Sequence, residues 1–142
     1  VKQILSQHPK DVRLVLRYAA FHQGSETVVR MLETARLQQV FEPVLDALFQ
    51  YQPQWASHHK PSVSRAWEIA EAAGLNIASS KAVMNSTEIN HRLGQEKEDI
   101  RHLKISQTPT FFVNEKPLPE FSGKHLYELV VSELGEPRPV SI

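Results

Sequence analysis

The sequence predicts a mixed α/β domain in which a small sheet is interrupted by a long helical stretch. Residues 12–18 combine β-branched and aromatic side chains with a period of two, which is typical of a strand. Residues 25–103 carry apolar side chains at helical spacing, with capping residues between the segments. Residues 108–114 return to a strand composition behind a proline, so the sheet is expected to resume there.

The composition is that of one globular domain, and it excludes several classes of function. The 142 residues are 41% apolar, which suffices for a single core. Lys and Arg number 16, as do Asp and Glu, so the chain lacks the basic excess of nucleic-acid-binding domains. The absence of cysteine excludes disulfides, thiolate metal sites, Fe–S clusters and a cysteine nucleophile within these residues. No apolar run reaches the roughly 18 residues of a membrane span.

The first part of the chain is expected to run from a helix into a strand and then into two helices. Residues 1–7 have the spacing of the last turns of a helix whose beginning lies upstream. The strand at 12–18 carries two arginines, which favours a sheet edge or rim. Ser25 is a candidate N-cap for a helix over 25–39, and a second helix over 40–51 tolerates its proline only in the first turn.

The middle of the chain is expected to add further helices. Trp55 is the expected anchor of a polar stretch that follows the second helix. Ser62 or Ser64 then caps a helix that Gly74 ends. Residues 79–103 predict one or two helices, because a glycine interrupts their pattern.

The C-terminal stretch predicts a hairpin and a final helix. A tight turn is expected at 114–117 and a short return strand at 118–121. An amphipathic helix follows at 124–134 and ends at Gly135. Residues 136–142 are expected to form a frayed tail.

Thr108 and Pro109 form the sharpest local feature. Proline cannot donate a ladder hydrogen bond, so it belongs at the first residue of a strand or at a sheet edge. A cis bond before Pro109 would leave the Thr108 backbone open to an extended peptide, whereas a trans proline would merely begin the strand. The dipeptide alone does not decide between these two interpretations.

Other short patterns carry little chemistry. The seven histidines include no pair at metal-ligand spacing, so no metal site is predicted. Ser57 and Lys60 match a serine acyl-transfer pattern but lack its companion motifs. The five glycines form no phosphate-binding loop. Spacing and composition alone therefore indicate an α/β domain without a catalytic constellation.

A larger combination of segments is more specific than any of these patterns. Its members, in chain order, are Asp11–Tyr18, Phe21-His22, Gly24–Glu26, Leu32–Gln38, Trp55 with His58-His59, Ala73–Leu75, Thr108–Asn114 and Lys116–Leu118. Together they resemble the DsbA-like thiol–disulfide oxidoreductases, which are thioredoxin-fold proteins with a helical domain inserted in the sheet. The resemblance implies a thioredoxin-like core at 1–24 and 104–142 and a helical insertion at 25–103.

The resemblance also implies a substrate site, but no catalytic residue in this chain. Thr108 and Pro109 match the family's cis-proline loop, which lies against the redox cysteines and binds substrate backbone. Phe21 and His22, in the loop after the first strand, are implied to line the substrate groove. No cofactor is implied, and the partners would be polypeptides that contain cysteines or disulfides.

Two departures from the family pattern set further expectations. The family's first strand and Cys-x-x-Cys turn match nothing here and are expected upstream of Val1, so this chain alone is expected to be redox-inactive. Glu115 replaces the glycine common in the Asn-Gly-Lys hairpin of relatives, which argues against a tight two-residue turn. The missing strand would lie between residues 12–18 and 110–114, which leaves three arrangements open. Either those two strands pair directly, or a second chain completes the sheet, or an N-terminal piece that has been lost completes it.

Three functional hypotheses stay open at this point. The first is the C-terminal portion of a DsbA-like disulfide oxidoreductase or isomerase. The second is a redox-inactive thioredoxin-like module or adaptor that binds extended peptides along Thr108 and Pro109. The third is a glutathione-using isomerase or transferase, which needs an activating hydroxyl or carboxylate near Pro109. By resemblance, the periplasm or cell envelope is the expected location.

Overall fold

The computed structural model describes residues 1–135, and the chain divides into two units. The sheet unit consists of Val1–Arg17 and the chain from Ile100 onward. The helical unit is the continuous stretch Tyr18–Asp99. The predicted tail at 136–142 lies outside the described residues.

The described residues form eight helices and one two-stranded sheet. In chain order these are α1 (Lys2–Gln7), α2 (Ser25–Leu37), α3 (Phe41–Gln50), α4 (Gln52–Trp55), α5 (Val63–Ala72), α6 (Ile77–Val83), α7 (Thr87–His102), β1 (Phe112–Val113), β2 (Lys116–Pro117) and α8 (Gly123–Glu133). The α/β class with a long helical stretch before the final sheet segment is therefore confirmed.

The helical unit is organised around an apolar core that α2, α3 and α5 share. Met31, Val44 and Ala66 are fully buried there, one from each of the three helices. The predicted role of Trp55 as an anchor is confirmed: its ring packs against this core, and its indole Nε1–H donates to the Leu48 carbonyl at 2.9 Å. The apolar spacing of these helices thus produces one continuous core.

A side-chain cap begins four of the eight described helices, α5, α6, α7 and α8, but not α2. The Ser62 hydroxyl accepts from the Arg65 backbone N–H at 3.3 Å, as predicted for one of two candidate serines. The prediction that Ser25 caps α2 is wrong, because Ser25 is already helical and Gly24 is the N-cap. Gly24 has φ 81°, and a Cβ on it would lie 3.1 Å from Val63 Cγ2, so both backbone conformation and space select glycine.

Three helix ends are closed by a residue with positive φ. These residues are Gln39, Gly74 and Lys104, and the residue after each donates its N–H to a carbonyl five positions earlier. This closure satisfies backbone carbonyls that a helix end would otherwise leave open. The predicted stop at Gly74 is confirmed. The glycine at position 94 does not interrupt α7, which continues through it.

The sheet is smaller than the sequence pattern predicts. The expected strand at 12–18 is wrong: these residues have no regular secondary structure, and no described strand runs beside them. Direct pairing of that segment with 110–114 is therefore absent from residues 1–135. An alternating pattern shows which face of a strand is apolar, but a strand forms only where a neighbour supplies its backbone hydrogen bonds.

The tight turn predicted at 114–117 is confirmed, but the return strand begins earlier than predicted. β1 and β2 pair antiparallel with Phe112 opposite Pro117 and Val113 opposite Lys116, so the return strand precedes its predicted position at 118–121. The two loop residues, Asn114 and Glu115, have φ of 47° and 68°. The expectation that Glu115 prevents a two-residue turn is wrong, because glutamate occupies a position that favours glycine.

Replacing Glu115 with glycine is expected to raise the free energy of unfolding by about 1 kcal/mol, because a left-handed conformation costs a residue with a Cβ that much. Urea unfolding followed by circular dichroism measures the change. Glu120→Gly is the matched control: Glu120 is also exposed in this unit but has no positive φ, so it is expected to lose stability. Equal effects of the two substitutions would contradict the explanation.

The sheet unit has its own small core beneath the hairpin. Ile4 of α1 and Leu126 and Val130 of α8 are buried together. Phe111, just before β1, packs against this cluster and stacks on Phe121 with ring centroids 5.0 Å apart. The hairpin is thereby held on α1 and α8 rather than within a larger sheet.

Candidate functional site

The loop before β1 presents Thr108 and Pro109 at the surface of the sheet unit. Both residues are exposed, and the peptide bond between them is cis. The Thr110 hydroxyl donates to the Gln107 carbonyl at 2.6 Å and closes the loop around them. Thr108 makes no hydrogen bond to any other residue among 1–135. Its backbone N–H and C=O are therefore not engaged by any described residue.

Phe21 and His22 lie in the helical unit, in the loop that precedes α2. Phe21 is 42% exposed, and its backbone N–H donates to the Ala19 carbonyl at 3.0 Å. The His22 carbonyl accepts from the Ser25 N–H at 3.1 Å, which fixes the loop against the start of α2. The four predicted site residues therefore divide between the two units.

His22 also meets a ring that the sequence did not pair with it. Its imidazole lies edge-on to that of His58, with centroids 5.4 Å apart. Within residues 1–135, no group of three or more His, Cys, Asp and Glu side chains is placed to hold a metal ion. The same part of the chain has no helix long and apolar enough to cross a membrane.

A polar network inside the helical unit was not foreseen from the sequence. The Tyr18 hydroxyl donates to Glu33 Oε1 at 2.7 Å, while Arg92 Nε lies 3.1 Å from Glu33 Oε2. Arg36 Nε approaches the same carboxylate at 3.3 Å. Glu33 is only 4% exposed, so these partners compensate a buried charge. The one sequence signal for this network is that Glu33 falls among the buried, mostly apolar positions of α2 when the helix is drawn as a helical wheel.

The network changes the ionisation of Tyr18. Burial is the main cause that raises the pKa of Tyr18, and the hydrogen bond to the Glu33 carboxylate adds to it. The unfolded chain therefore loses this proton at lower pH than the folded chain. The stabilisation is complete below the ordinary tyrosine pKa of about 10 and is lost as the pH rises above it.

Tyr18→Phe is accordingly expected to flatten the alkaline loss of stability. At neutral pH the variant should lose about 1–2 kcal/mol, because Glu33 loses a hydrogen-bond donor. Above a pH of about 10 the difference from the parent protein should shrink. Tyr51→Phe is the control, since the Tyr51 side chain is 41% exposed and its hydroxyl bonds no described residue. Urea midpoints measured from neutral pH to above a pH of about 10 test this expectation. Curves of midpoint against pH that run parallel for the two variants would contradict it.

Comparison with known proteins gives one match. A family model described as a DSBA-like thioredoxin domain matches residues 2–135. No curated protein and no solved structure matches the chain.

Proposed function

This chain belongs to the DSBA-like thioredoxin domain family, and we propose that it is the substrate-binding portion of a thiol–disulfide oxidoreductase or isomerase. The chain has no cysteine, so the exchanging thiols have to come from residues outside it. In this proposal residues 1–24 and 104–142 form a thioredoxin-like core, which takes in most of the sheet unit, and residues 25–103 are its helical insertion.

The exposed Thr108–Pro109 segment is the observation that carries this proposal. A cysteine thiolate of the parent protein attacks one sulfur of a substrate disulfide, forms a mixed disulfide and releases the other sulfur as a thiolate. The open N–H and C=O of Thr108 hold the substrate backbone by strand-like pairing beside that reaction. The residues of this chain therefore bind and orient the substrate, while the reacting sulfurs belong to the rest of the parent protein and to the substrate.

Phe21 and His22, in the helical unit, are also proposed to contact the substrate. Phe21 offers an exposed aromatic face, and His22 with its neighbour His58 offers polar ring edges. The expected substrates are unfolded polypeptides with cysteines or disulfides. The proposed location is the periplasm or cell envelope, where such bonds persist.

Peptide binding at Thr108 tests the proposal directly. A blocked extended peptide with one methylated cysteine should shift the amide resonances of residues 107–111 in the isolated chain. Thr108→Arg should weaken this binding about tenfold, because the long cationic side chain covers the open backbone. Thr87→Arg, at another exposed threonine, controls for the added charge. Equal affinity of the two variants would overturn the assignment of the site.

The main alternative is a redox-inactive peptide-binding module, which the absence of cysteine favours. Thiol labelling of the natural protein separates the two candidates. After reduction and alkylation, the oxidoreductase proposal expects at least two alkyl adducts on the intact protein captured with an antibody against this chain. A protein without adducts that still binds peptide at Thr108 would establish the module.

A further inference from the structure

Two imidazole rings meet on the surface of the helical unit, carried by loops that lie far apart in the sequence. The ring centroids of His22 and His58 are 5.4 Å apart, and the two ring planes make an angle of 84°. Both residues are exposed. Neither imidazole makes a hydrogen bond or an ion pair with any residue among 1–135. Their ring nitrogens are therefore not engaged by the described part of the chain, and each neutral ring offers one lone pair.

The backbone holds these two loops against each other. A hydrogen bond of 2.8 Å between the backbones of its two end residues closes the loop 55–62, which carries His58. Gly24, two residues after His22, abuts the residue that follows this loop, since a Cβ on Gly24 would lie 3.1 Å from Val63 Cγ2. The attachment points of both rings are thus fixed before a ligand arrives, which lowers the entropic cost of binding one.

The spacing of the rings matches that of two histidines bound to one metal ion. A Zn–N bond of about 2.1 Å places the ion about 3.2 Å from the centre of an imidazole ring. Two such rings at a tetrahedral angle have centroids about 5.2 Å apart. The 5.4 Å between His22 and His58 is close to this value. The χ2 torsion of histidine is broad, so each exposed ring can turn a nitrogen toward a shared ion.

The donor atoms select the class of ion. Imidazole nitrogen suits zinc, copper and nickel, whereas magnesium and calcium prefer carboxylate, carbonyl and water oxygens. Among residues 1–135, no third His, Cys, Asp or Glu side chain completes a metal-binding group with this pair. The pair therefore supplies two ligands, and water fills the remaining positions around the ion.

We propose that His22 and His58 form an exchangeable site for a late first-row transition-metal ion such as Zn²⁺, with two imidazole and two water ligands. The ion links the loop before α2 to the loop before α5. This inference goes beyond the proposed function and does not rest on it, because it needs neither thiol chemistry nor the Thr108 loop. The competing interpretation is that the two rings only pack edge to face. Each ring would then bind zinc no better than a lone surface histidine.

Calorimetric titration of the whole chain with Zn²⁺, in a buffer that does not bind metals, tests the site. The parent chain should show one equivalent of Zn²⁺ that binds more tightly than any other. His58→Gln should weaken the binding of that equivalent about tenfold, because glutamine has no ring nitrogen to donate. His91→Gln is the matched control and should change it less than about twofold. His91 is exposed in the same unit and has no ring contact with a described residue.

A double variant shows whether both rings hold the same ion. His22→Gln should weaken binding about as much as His58→Gln. The combined variant should bind less than about twofold more weakly than either single variant, because one remaining imidazole holds the ion no better than the rest of the surface. Two separate sites would instead give two equivalents and losses that add. The replaced side chains are all exposed, so the variants should fold, which circular dichroism checks.

Imidazole resonances locate the ion independently of its affinity. The ring signals of His22 and His58 should shift together and saturate at one equivalent of Zn²⁺, while those of His91 shift less. An excess of Mg²⁺ should leave all of them unchanged. Equal affinity of His58→Gln and His91→Gln, additive losses in the double variant, or ring signals that shift independently would overturn the proposal. None of these results depends on peptide binding at Thr108, so the two proposals can fail separately.

Discussion

Replacing Met31 with alanine is expected to lower the free energy of unfolding by about 2–5 kcal/mol, the largest effect of any single substitution considered for this chain. Met31 is fully buried where α2 meets the other helices of the core. Truncation removes apolar contacts and leaves a cavity that three packed helices cannot close without moving. Urea unfolding followed by circular dichroism gives the value.

Two variants separate packing from other effects of the substitution. Met31→Leu keeps the volume and should cost less than about 1.5 kcal/mol. Met84→Ala removes the same side chain at the end of α6, where it is partly exposed, and should cost clearly less than Met31→Ala. A loss for Met31→Ala no greater than that for Met84→Ala would show that the core relaxes around the gap.

Glu33→Ala is expected to cost about 2–3 kcal/mol, the second largest effect. The change removes the acceptor of the Tyr18 hydroxyl and the counter-charge of Arg92 and Arg36. Both arginine side chains are more than two-fifths exposed, so water solvates them and compensates much of the lost ion pairing. The partly buried Tyr18 hydroxyl loses its acceptor, although Arg36 still donates to it at 3.4 Å; that loss and the lost packing account for most of the expected cost.

Glu26→Ala on the same helix is the matched control. Glu26 also meets two cations, Arg30 and Lys97, and the hydrogen bonds from them lower its pKa, with that from Lys97 the larger cause. It is 44% exposed, however, so its removal should cost less than about 1 kcal/mol. Comparable losses for the two glutamates would show that burial of Glu33 does not set the energy.

The helices could be predicted because their signals are local. The apolar spacing of α2, the first-turn proline of α3 and the cap at Ser62 all act within a few residues of each other. The start of α2 is the exception. Glycine was selected there by the backbone conformation at Gly24 and by the nearby Val63, a contact that no local pattern reveals.

The strand at 12–18 could not be predicted correctly, for a different reason. Its alternating pattern describes a face, whereas strand formation depends on a hydrogen-bonding neighbour elsewhere in the chain or outside it. The same limit applies to the site. Thr108 and Pro109 were identified by a contiguous motif, whereas the contacts of His22 with His58 and of Tyr18 with Glu33 join residues far apart in sequence. The roles of Thr108, Pro109, Phe21 and His22 in binding stay predictions.

The anchoring of Trp55 has a consequence for how the protein can be observed. Trp55 and Trp67 are the only tryptophans in the chain; both pack against the core of the helical unit, and Lys81 lies 5.6 Å over the ring of Trp67. Indole fluorescence therefore reports on the helical unit alone, because the sheet unit contains no tryptophan. Emission and backbone ellipticity recorded on one sample will then show whether the two units lose their structure in a single transition or one after the other.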